Sequence, residues 1–588
     1  MKWRFSLKEE KVVLFLLTAI LIGATTGCLA VGFRFLLLYA TKLCWNHPFD
    51  IIGSAGDMKW YVVLLIPVIG GVFVGPLVSF LAPETRGTGV PEVIEAVSIR
   101  EGAIRHRTTF FKTVSSAISI AAGASVGREG PIVHIGSSVG SSIAQLLKLS
   151  PEWRRIFLAC GAASGIAATF NAPMTGVLFA IEIILTDFEV SYLSHIVISA
   201  VTATVISHHF LGNLPAFNIP QYEMINYWEI LLYLILGVLA GVVSIVFIKL
   251  ISVVEDAFDK VRAPAYIRPA IGGFFVGIIA ITCPNVLGVG YQSVNLVLTA
   301  DIALKSMILI IILKLIATSF SVGAGFSGGI FAPSLFLGAM LGGIFGIVSG
   351  SFFPDIVASF HAYGLIGMGA VVSGTTLAPI TAILTIFELT YNYNIILPLM
   401  ISCIASLVIV QKFYGYSIYE SKLLKKGVSI VRGHDVTILR TMIITDYIDT
   451  RYESLNEKTQ LRDIILNIRE SRYPHFLVVN DEDELVGMLS MRDLKNCLPE
   501  IENLNELIIA ADIMTKNVYC IAQDDNLATA FKIFEGKHIS TLPVVDVQNP
   551  KKVIGVLTKN DLILAYNQKI LKAGYVNKNE THNQAINF

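Results

Sequence analysis

The sequence predicts a polytopic α-helical membrane protein of two inverted structural repeats with broken or re-entrant helices, followed by a cytosolic α/β domain. Three observations carry that prediction. Of the 588 residues, 54% are hydrophobic and only 15% charged, and 47 are glycine. Charge is also segregated. Between Ser306 and Val410 only Lys314, Asp355 and Glu388 are charged, whereas acidic and basic residues recur every few positions from Ser417 onward. Third, the apolar part resembles itself at a nearly constant offset. A stretch so poor in charge belongs in hydrocarbon, where helices satisfy their own backbone groups. The 44 basic and 44 acidic residues leave no surplus for nucleic acid. Seven cysteines stand singly, without metal spacing, and read as core fillers in a reducing compartment.

Taken in order, Met1 to Lys11 is short and basic with no cleavable signal, and the apolar run from Val12 is long enough to span a bilayer. Apolar segments lie roughly at 12–42, 59–82, 108–122, 131–148, 155–186, 192–211, 227–253, 265–282, 303–321, 329–349, 356–372 and 377–410. Several are too short for a simple crossing, and Gly or Pro cuts many of them. That is the pattern of helices that break inside protein to line a path.

The self-similarity is specific. Ile69-Gly70-Gly71 to Gly75 recurs as Ile271-Gly272-Gly273 to Gly277, and Gly87-Thr88-Gly89 as Gly288-Val289-Gly290. Pro131 with Gly136 matches Pro333 with Gly338, and Ala172-Pro173 with Glu182 matches Ala378-Pro379 with Glu388. The offset stays between 201 and 206. Basic residues at Met1 to Lys11 and Lys412 to Lys426 place both ends of the apolar domain in the cytoplasm of a cell (plasma or inner) membrane. Inverted repeats with an odd number of crossings each satisfy that topology.

Three Gly-rich breaks fall near helix starts: Gly87-Thr88-Gly89-Val90-Pro91, Gly127-Arg128-Glu129-Gly130-Pro131 and Gly328-Gly329-Ile330-Phe331-Ala332-Pro333. Each offers backbone N–H groups at the positive end of a helix dipole, and Thr88 adds a hydroxyl. Partial charges bind a monovalent anion weakly enough to release it, which conduction requires. Glu129 is a carboxylate in an apolar region, a functional-site candidate by default, placed just ahead of a helix N-terminus.

These three motifs together resemble the signature motifs of the CLC family of chloride channels and chloride/proton exchangers. Phe170-Asn171-Ala172-Pro173 and Ser417-Ile418-Tyr419-Glu420 are similar to further stretches of that family, and Asn392-Tyr393 lies where it keeps its pore tyrosine. The resemblance implies a homodimer with one chloride pathway per subunit, and roles for individual residues. Thr88, Gly89, Ile330, Phe331 and Tyr393 bind the anion, Thr88 and Tyr393 through hydroxyls and Ile330 and Phe331 through amides. Glu129 is the gate, opened by protonation. The family usually has serine where Thr88 stands, but the hydroxyl is kept. Its bacterial exchangers carry two adjacent glutamates after the Asn-Ala-Pro motif, the second an internal proton relay. Here the pair reads Glu182-Ile183, and an isoleucine carries no proton. A channel-like or weakly proton-coupled mechanism is expected, with H+/Cl− exchange as the alternative. Glu182, matched by Glu388, reads as a structural carboxylate.

Past Ser417, Phe476-Leu477-Val478-Val479 leading to Gly487 through Asp493 is echoed by Leu542-Pro543-Val544-Val545 leading to Gly555 through Asp561. β-Branched runs alternate with amphipathic stretches at Leu461 to Arg469 and Leu527 to Phe534. The unit resembles a CBS-domain pair. The resemblance implies a possible adenine-nucleotide site (ATP, ADP or AMP) at Ser490, Asp493, Thr558 and Asp561, although Ser/Thr-x-x-Asp is also a capping-box variant. The expected division is 1–11 cytosolic; 12–415 transmembrane, with repeats about 12–215 and 216–415; 416–441 linker; 442–500 and 501–572 CBS domains; and 573–588 a disordered tail.

No cofactor or metal is required, and the ligands expected are chloride and protons, with membrane lipid around the protein. Two distant alternatives remain. Gly325-Phe326-Ser327-Gly328 matches an intramembrane serine protease motif, with His361 its only candidate base. A CBS-containing divalent-cation transporter would need an acidic cluster that Glu129 alone does not make.

Overall fold

The computed structural model describes the chain except residues 1–6, 49, 187–189, 213–225, 300–302, 358, 427–438, 440–441, 471–474, 491–492, 494–507, 538 and 573–588. The expected tail and most of the expected linker therefore lie outside the described residues. Two compact units form, Met1–Ile430 and Val431–Phe588.

The first unit holds two sets of helices. The first set is α1 (Leu7–Trp45), α2 (Ile51–Asp57), α3 (Trp60–Pro76), α4 (Val90–Ile99), α5 (Arg107–Ala121), α6 (Glu129–Leu146), α7 (Pro151–Phe170), α8 (Pro173–Phe179) and α9 (Val190–Leu211). The second is α10 (Glu229–Lys260), α11 (Arg268–Thr282), α12 (Tyr291–Thr299), α13 (Leu304–Ala324), α14 (Phe331–Phe352), α15 (Phe360–Thr376), α16 (Pro379–Thr390), α17 (Ile396–Phe413) and α18 (Ile418–Lys425). Among the described residues, 7 helices are long and apolar enough to cross a membrane, and others, such as Pro379–Thr390, are too short. Proline in the first turn starts α4, α7, α8, α11 and α16, where its missing N–H costs nothing. Helices α7 and α15 end on left-handed residues, Asn171 (φ 61°) and Leu377 (φ 54°), each followed by Ala-Pro. The single apolar segment read at 155–186 is thus two elements, because that reversal and Pro173 stop the helix.

The repeats interlock by reciprocal contacts. Gly127 N–H donates to Gly329 O at 2.7 Å, and Gly329 N–H donates to Gly127 O at 2.6 Å. A Cβ on Gly71 would strike the backbone of Pro269 and Ala270, and one on Gly273 that of Pro67 and Val68. Glu182 Oε2 accepts from the Thr381 amide (2.7 Å) and hydroxyl (2.6 Å), while Glu388 Oε2 accepts from the Thr175 amide (2.7 Å) and hydroxyl (2.6 Å). Partners exchanged at equivalent positions, 202 or 206 residues apart, are what a two-fold axis between inverted repeats produces, as in an isologous interface. Within each repeat, Gly136 meets Gly161 and Gly338 meets Gly367, close helix approaches that no Cβ permits.

The second unit is two matching sheets. In one, β1 (Ser454–Asn456) runs parallel to β2 (His475–Val479), which pairs antiparallel with β3 (Leu485–Ser490). In the other, β4 (Ile521–Ala522), β5 (Thr541–Val545) and β6 (Val553–Thr558) repeat that topology. Helices α19 (Leu461–Glu470), α20 (Ala510–Ile513), α21 (Leu527–Lys537) and α22 (Lys559–Lys572) accompany them. Separate cores centre on Ile464, Phe476 and Leu489, and on Leu527, Leu542 and Leu557.

Replacing Glu388 by Ala leaves the buried Thr175 amide and hydroxyl without their acceptor. We expect a loss of about 2–4 kcal/mol, read as a lower melting temperature of the detergent-solubilised protein. An unchanged melting temperature would show the bond contributes nothing.

Candidate functional site

The three Gly-rich breaks converge because each is bonded to another. Gly328 N–H donates to Gly87 O at 3.2 Å, joining the third break to the first, and the paired Gly127 and Gly329 join the second to the third. Gly130 packs against the Thr88 carbonyl and the Gly329 Cα, closing the triangle. Behind the first break the fully buried Lys112 donates to Thr85 O (2.9 Å) and Gly87 O (2.8 Å). Lys314 does the same for Val286 O (2.9 Å) and Gly288 O (3.0 Å) in the second repeat. Two buried lysines are thereby explained: each donates two bonds to the carbonyls of a loop that helical bonding leaves open.

Thr88 is 4% exposed, and its hydroxyl oxygen has no hydrogen-bond partner. It lines a cavity of about 20 Å³ with Ile330, Ile418 and Lys422, close to the size of one water. Ile330 caps α14 and Phe331 opens it, both buried, where the first amides have no intrahelical acceptor. Thr88 and Ile330 thus line one cavity at the start of the helix that Phe331 begins.

Glu129 is 1% exposed and is the first residue of α6, not a residue ahead of it, because the helix runs on through Gly130. Its Oε1 accepts the Tyr291 hydroxyl at 2.6 Å, and its Oε2 has no partner. A buried carboxylate with one oxygen unsatisfied is poised to exchange partners.

Two expected roles are corrected. The Gly89 amide is not open to an anion, because it donates to Glu92 Oε2 at 3.0 Å in a capping box. Tyr393 is 76% exposed, in a short turn before α17, and the structure does not bring it to the site. A buried tyrosine does stand there: Tyr419, 2% exposed, is next to Ile418 of the Thr88 cavity and within electrostatic reach of Glu129. The Ser417–Glu420 capping box starts α18 there, with the Ser417 amide donating to Glu420 Oε2 at 2.7 Å. The Ser417-Ile418-Tyr419-Glu420 stretch, similar to one of the family's, is a Ser-x-x-Glu capping pattern, the sequence signal that marks this position. Ile183 is 5% exposed, inside the apolar core on the turn after α8.

A larger cavity of about 310 Å³, lined by residues including Glu92, Arg100, His134 and Lys426, shares Lys422 and Glu255 with the Thr88 cavity. Lys422 reaches Glu92 at 3.0 Å, and Lys426 reaches Glu92 at 3.4 Å and Glu95 at 3.2 Å. Partial burial opposes the Lys426 charge, but Glu92 and Glu95 outweigh it and hold the ammonium above its ordinary range. This cavity thus mixes cations with carboxylates, of which Glu92 and Glu95 are ion-paired. Ser327 is tied to Thr85 O at 2.9 Å and to Ser116 at 2.9 Å, whereas His361 contacts Ser359. Among the described residues no acidic or His/Cys group could hold a metal.

In the second unit the Asp493 carboxylate accepts from the Ser490 amide (2.9 Å) and hydroxyl (2.6 Å), and Asp561 from those of Thr558 (3.0 and 2.6 Å). The four residues form two equivalent caps at the ends of β3 and β6, and β6 runs directly into α22.

Comparison with known proteins follows the same lines. The family model described as voltage gated chloride channel matches residues 70–411, and that of the CBS domain matches 444–500 and 510–568. The chain belongs to the CLC family. A ClcB-like protein of Ralstonia nicotianae is 34% identical over 407 residues, 68% of this chain and 95% of that one. The chloride channel protein CLC-e of Arabidopsis thaliana is 35% identical over 65% of this chain and 58% of its own. The H+/Cl− exchange transporter ClcA of Yersinia pestis is 30% identical over 71% and 88%. Among solved structures, a slow cyanobacterial Cl−/H+ antiporter aligns with TM-score 0.64 at 27% identity, over 70% of this chain and 97% of that one. A eukaryotic CLC transporter aligns over 94% and 98% with TM-score 0.69 and 20% identity, which speaks to fold. The protein is therefore an integral membrane CLC protein with a C-terminal CBS pair. Its family moves chloride as transporters or channels.

Burial separates the two tyrosines experimentally. Tyr393→Phe should leave chloride uptake into liposomes unchanged. Tyr419→Phe removes one hydroxyl donor beside the pathway and should weaken apparent chloride affinity by about tenfold. The reverse pattern would restore Tyr393.

Proposed function

We propose that this CLC protein conducts chloride through one pathway per subunit of a homodimer, gated by protonation of Glu129. The observation that carries the reading is the convergence, within one chain, of an unpartnered Thr88 hydroxyl, the open first turn of α14 and the half-satisfied Glu129 carboxylate. Thr88, the amides of Ile330 and Phe331, and Tyr419 hold the anion by partial charges. The ionised Glu129 carboxylate competes with chloride for the same positive ends of helices, and protonation removes that competition. All these groups come from one subunit, which supports a separate pathway in each. Both ends of the membrane domain face the cytoplasm of the cell membrane.

Transport is channel-like or weakly proton-coupled, since Ile183 cannot relay a proton and Glu182 is engaged with Thr381. Exchange is the second reading, favoured by relatives named as H+/Cl− exchangers. An adenine nucleotide at Ser490, Asp493, Thr558 and Asp561 is a regulatory extension, with the caps offering hydroxyls and carboxylates to phosphate and ribose. Titrating ATP, ADP and AMP onto the protein checks it. Asp561→Ala should weaken binding about tenfold, and no binding by any of the three overturns it.

The mechanism is tested in liposomes with an outward chloride gradient and potassium–valinomycin clamping the potential at zero, while external pH is recorded. Chloride efflux with little proton movement is expected. Protons driven uphill, and stopped by Glu129→Ala, would establish exchange instead. Glu129→Gln should keep chloride flux and lose its pH dependence, and normal pH gating in that variant would remove Glu129 from the gate.

A further inference from the structure

The Glu129 carboxylate is held from outside its own repeat. Its Oε1 accepts the Tyr291 hydroxyl at 2.6 Å, and Tyr291 is the first residue of α12. In the repeat frame Tyr291 follows Gly288-Val289-Gly290 as Val90 follows Gly87-Thr88-Gly89. The second repeat's version of the anion loop thus delivers a hydroxyl to the first repeat's glutamate. The ring is itself fixed. The Arg128 guanidinium lies over it, 5.3 Å from the centroid, a distance at which cation and ring attract. The charged and titratable groups facing this pair are Arg128 beside Glu129, Arg34 on α1, and Tyr419 on α18.

We infer that Tyr291 is a positioning residue, whose hydroxyl latches the ionised Glu129 carboxylate in the closed position and sets the proton concentration at which it lets go. A hydroxyl bonds a carboxylate more strongly than a carboxylic acid, so the latch favours the ionised state. Removing it lets the carboxylate take a proton, and leave, at higher pH. The inference rests on reading Glu129 as the gate.

Tyr291→Phe keeps the ring beneath the Arg128 guanidinium and removes the hydroxyl, both its donation to Glu129 and its bond with Arg128. Chloride flux is measured in liposomes across external pH for the native protein, Tyr291→Phe, Glu129→Gln and the double variant. The expected result is an upward shift of the midpoint by about one pH unit, roughly tenfold in proton concentration, with flux at acid pH retained. In the Glu129→Gln background Tyr291→Phe should change nothing, since the latch then has nothing to hold. An unchanged midpoint overturns the latch while leaving the gate intact. So does an equal effect of Tyr291→Phe in the Glu129→Gln background. If Glu129→Gln itself keeps native pH gating, the gate reading fails and the latch falls with it.

Discussion

The membrane domain depends on one constraint: a broken helix in hydrocarbon must find partners for the backbone groups it exposes. Gly127 and Gly329 meet it by bonding each other in both directions, so that each break satisfies the other. Only residues without a side chain permit this approach, and a Cβ on Gly329 would lie 2.6 Å from the Gly130 amide. Once these two loops are joined, Glu129 and Phe331 necessarily open helices that start side by side. The proposed anion site is therefore a by-product of how the breaks are closed.

The same bookkeeping explains the scarce charges. Lys112 and Lys314 hold loop carbonyls, and Glu182 and Glu388 hold the first amides of the opposite repeat's short helix. These four charges are spent on backbone groups. The Thr88 cavity is lined by a hydroxyl, apolar side chains, Glu255 and Lys422, and the Lys422 ammonium is paired with Glu92 at 3.0 Å. A deep well from an unpaired lysine there would bind chloride and fail to release it.

Fold was legible in the sequence because the repeat leaves its trace in glycine, proline and charge, the residue types whose placement backbone geometry dictates. The offset between Glu182 and Glu388 already implied a shared structural role, and the structure supplies it. The site was less legible where a side chain's direction decides. Tyr393 and Tyr419 both stand in family-like stretches beside apolar segments, and nothing in local composition says which one turns inward. The Ser417–Glu420 cap, which fixes where α18 begins, makes the difference. Gly89 failed for a related reason, since Glu92 three residues on takes its amide. Tyr291 had a signal in the repeat frame itself, but only a three-dimensional fold shows that the frame's second loop leans on the first loop's glutamate.

The exchanged carboxylates set an order on biosynthesis. When the first half emerges, the Thr175 and Met174 amides and the Gly127 loop have no acceptors, because those belong to Glu388 and Gly329 in the unmade half. At about 5–20 residues per second, the missing partners arrive roughly ten to forty seconds later. During that interval the half-protein carries open backbone groups at membrane depth, which the insertion machinery or trapped water must cover. The folding unit is the pair of repeats, and a chain cut between them would give two halves that become stable only on meeting.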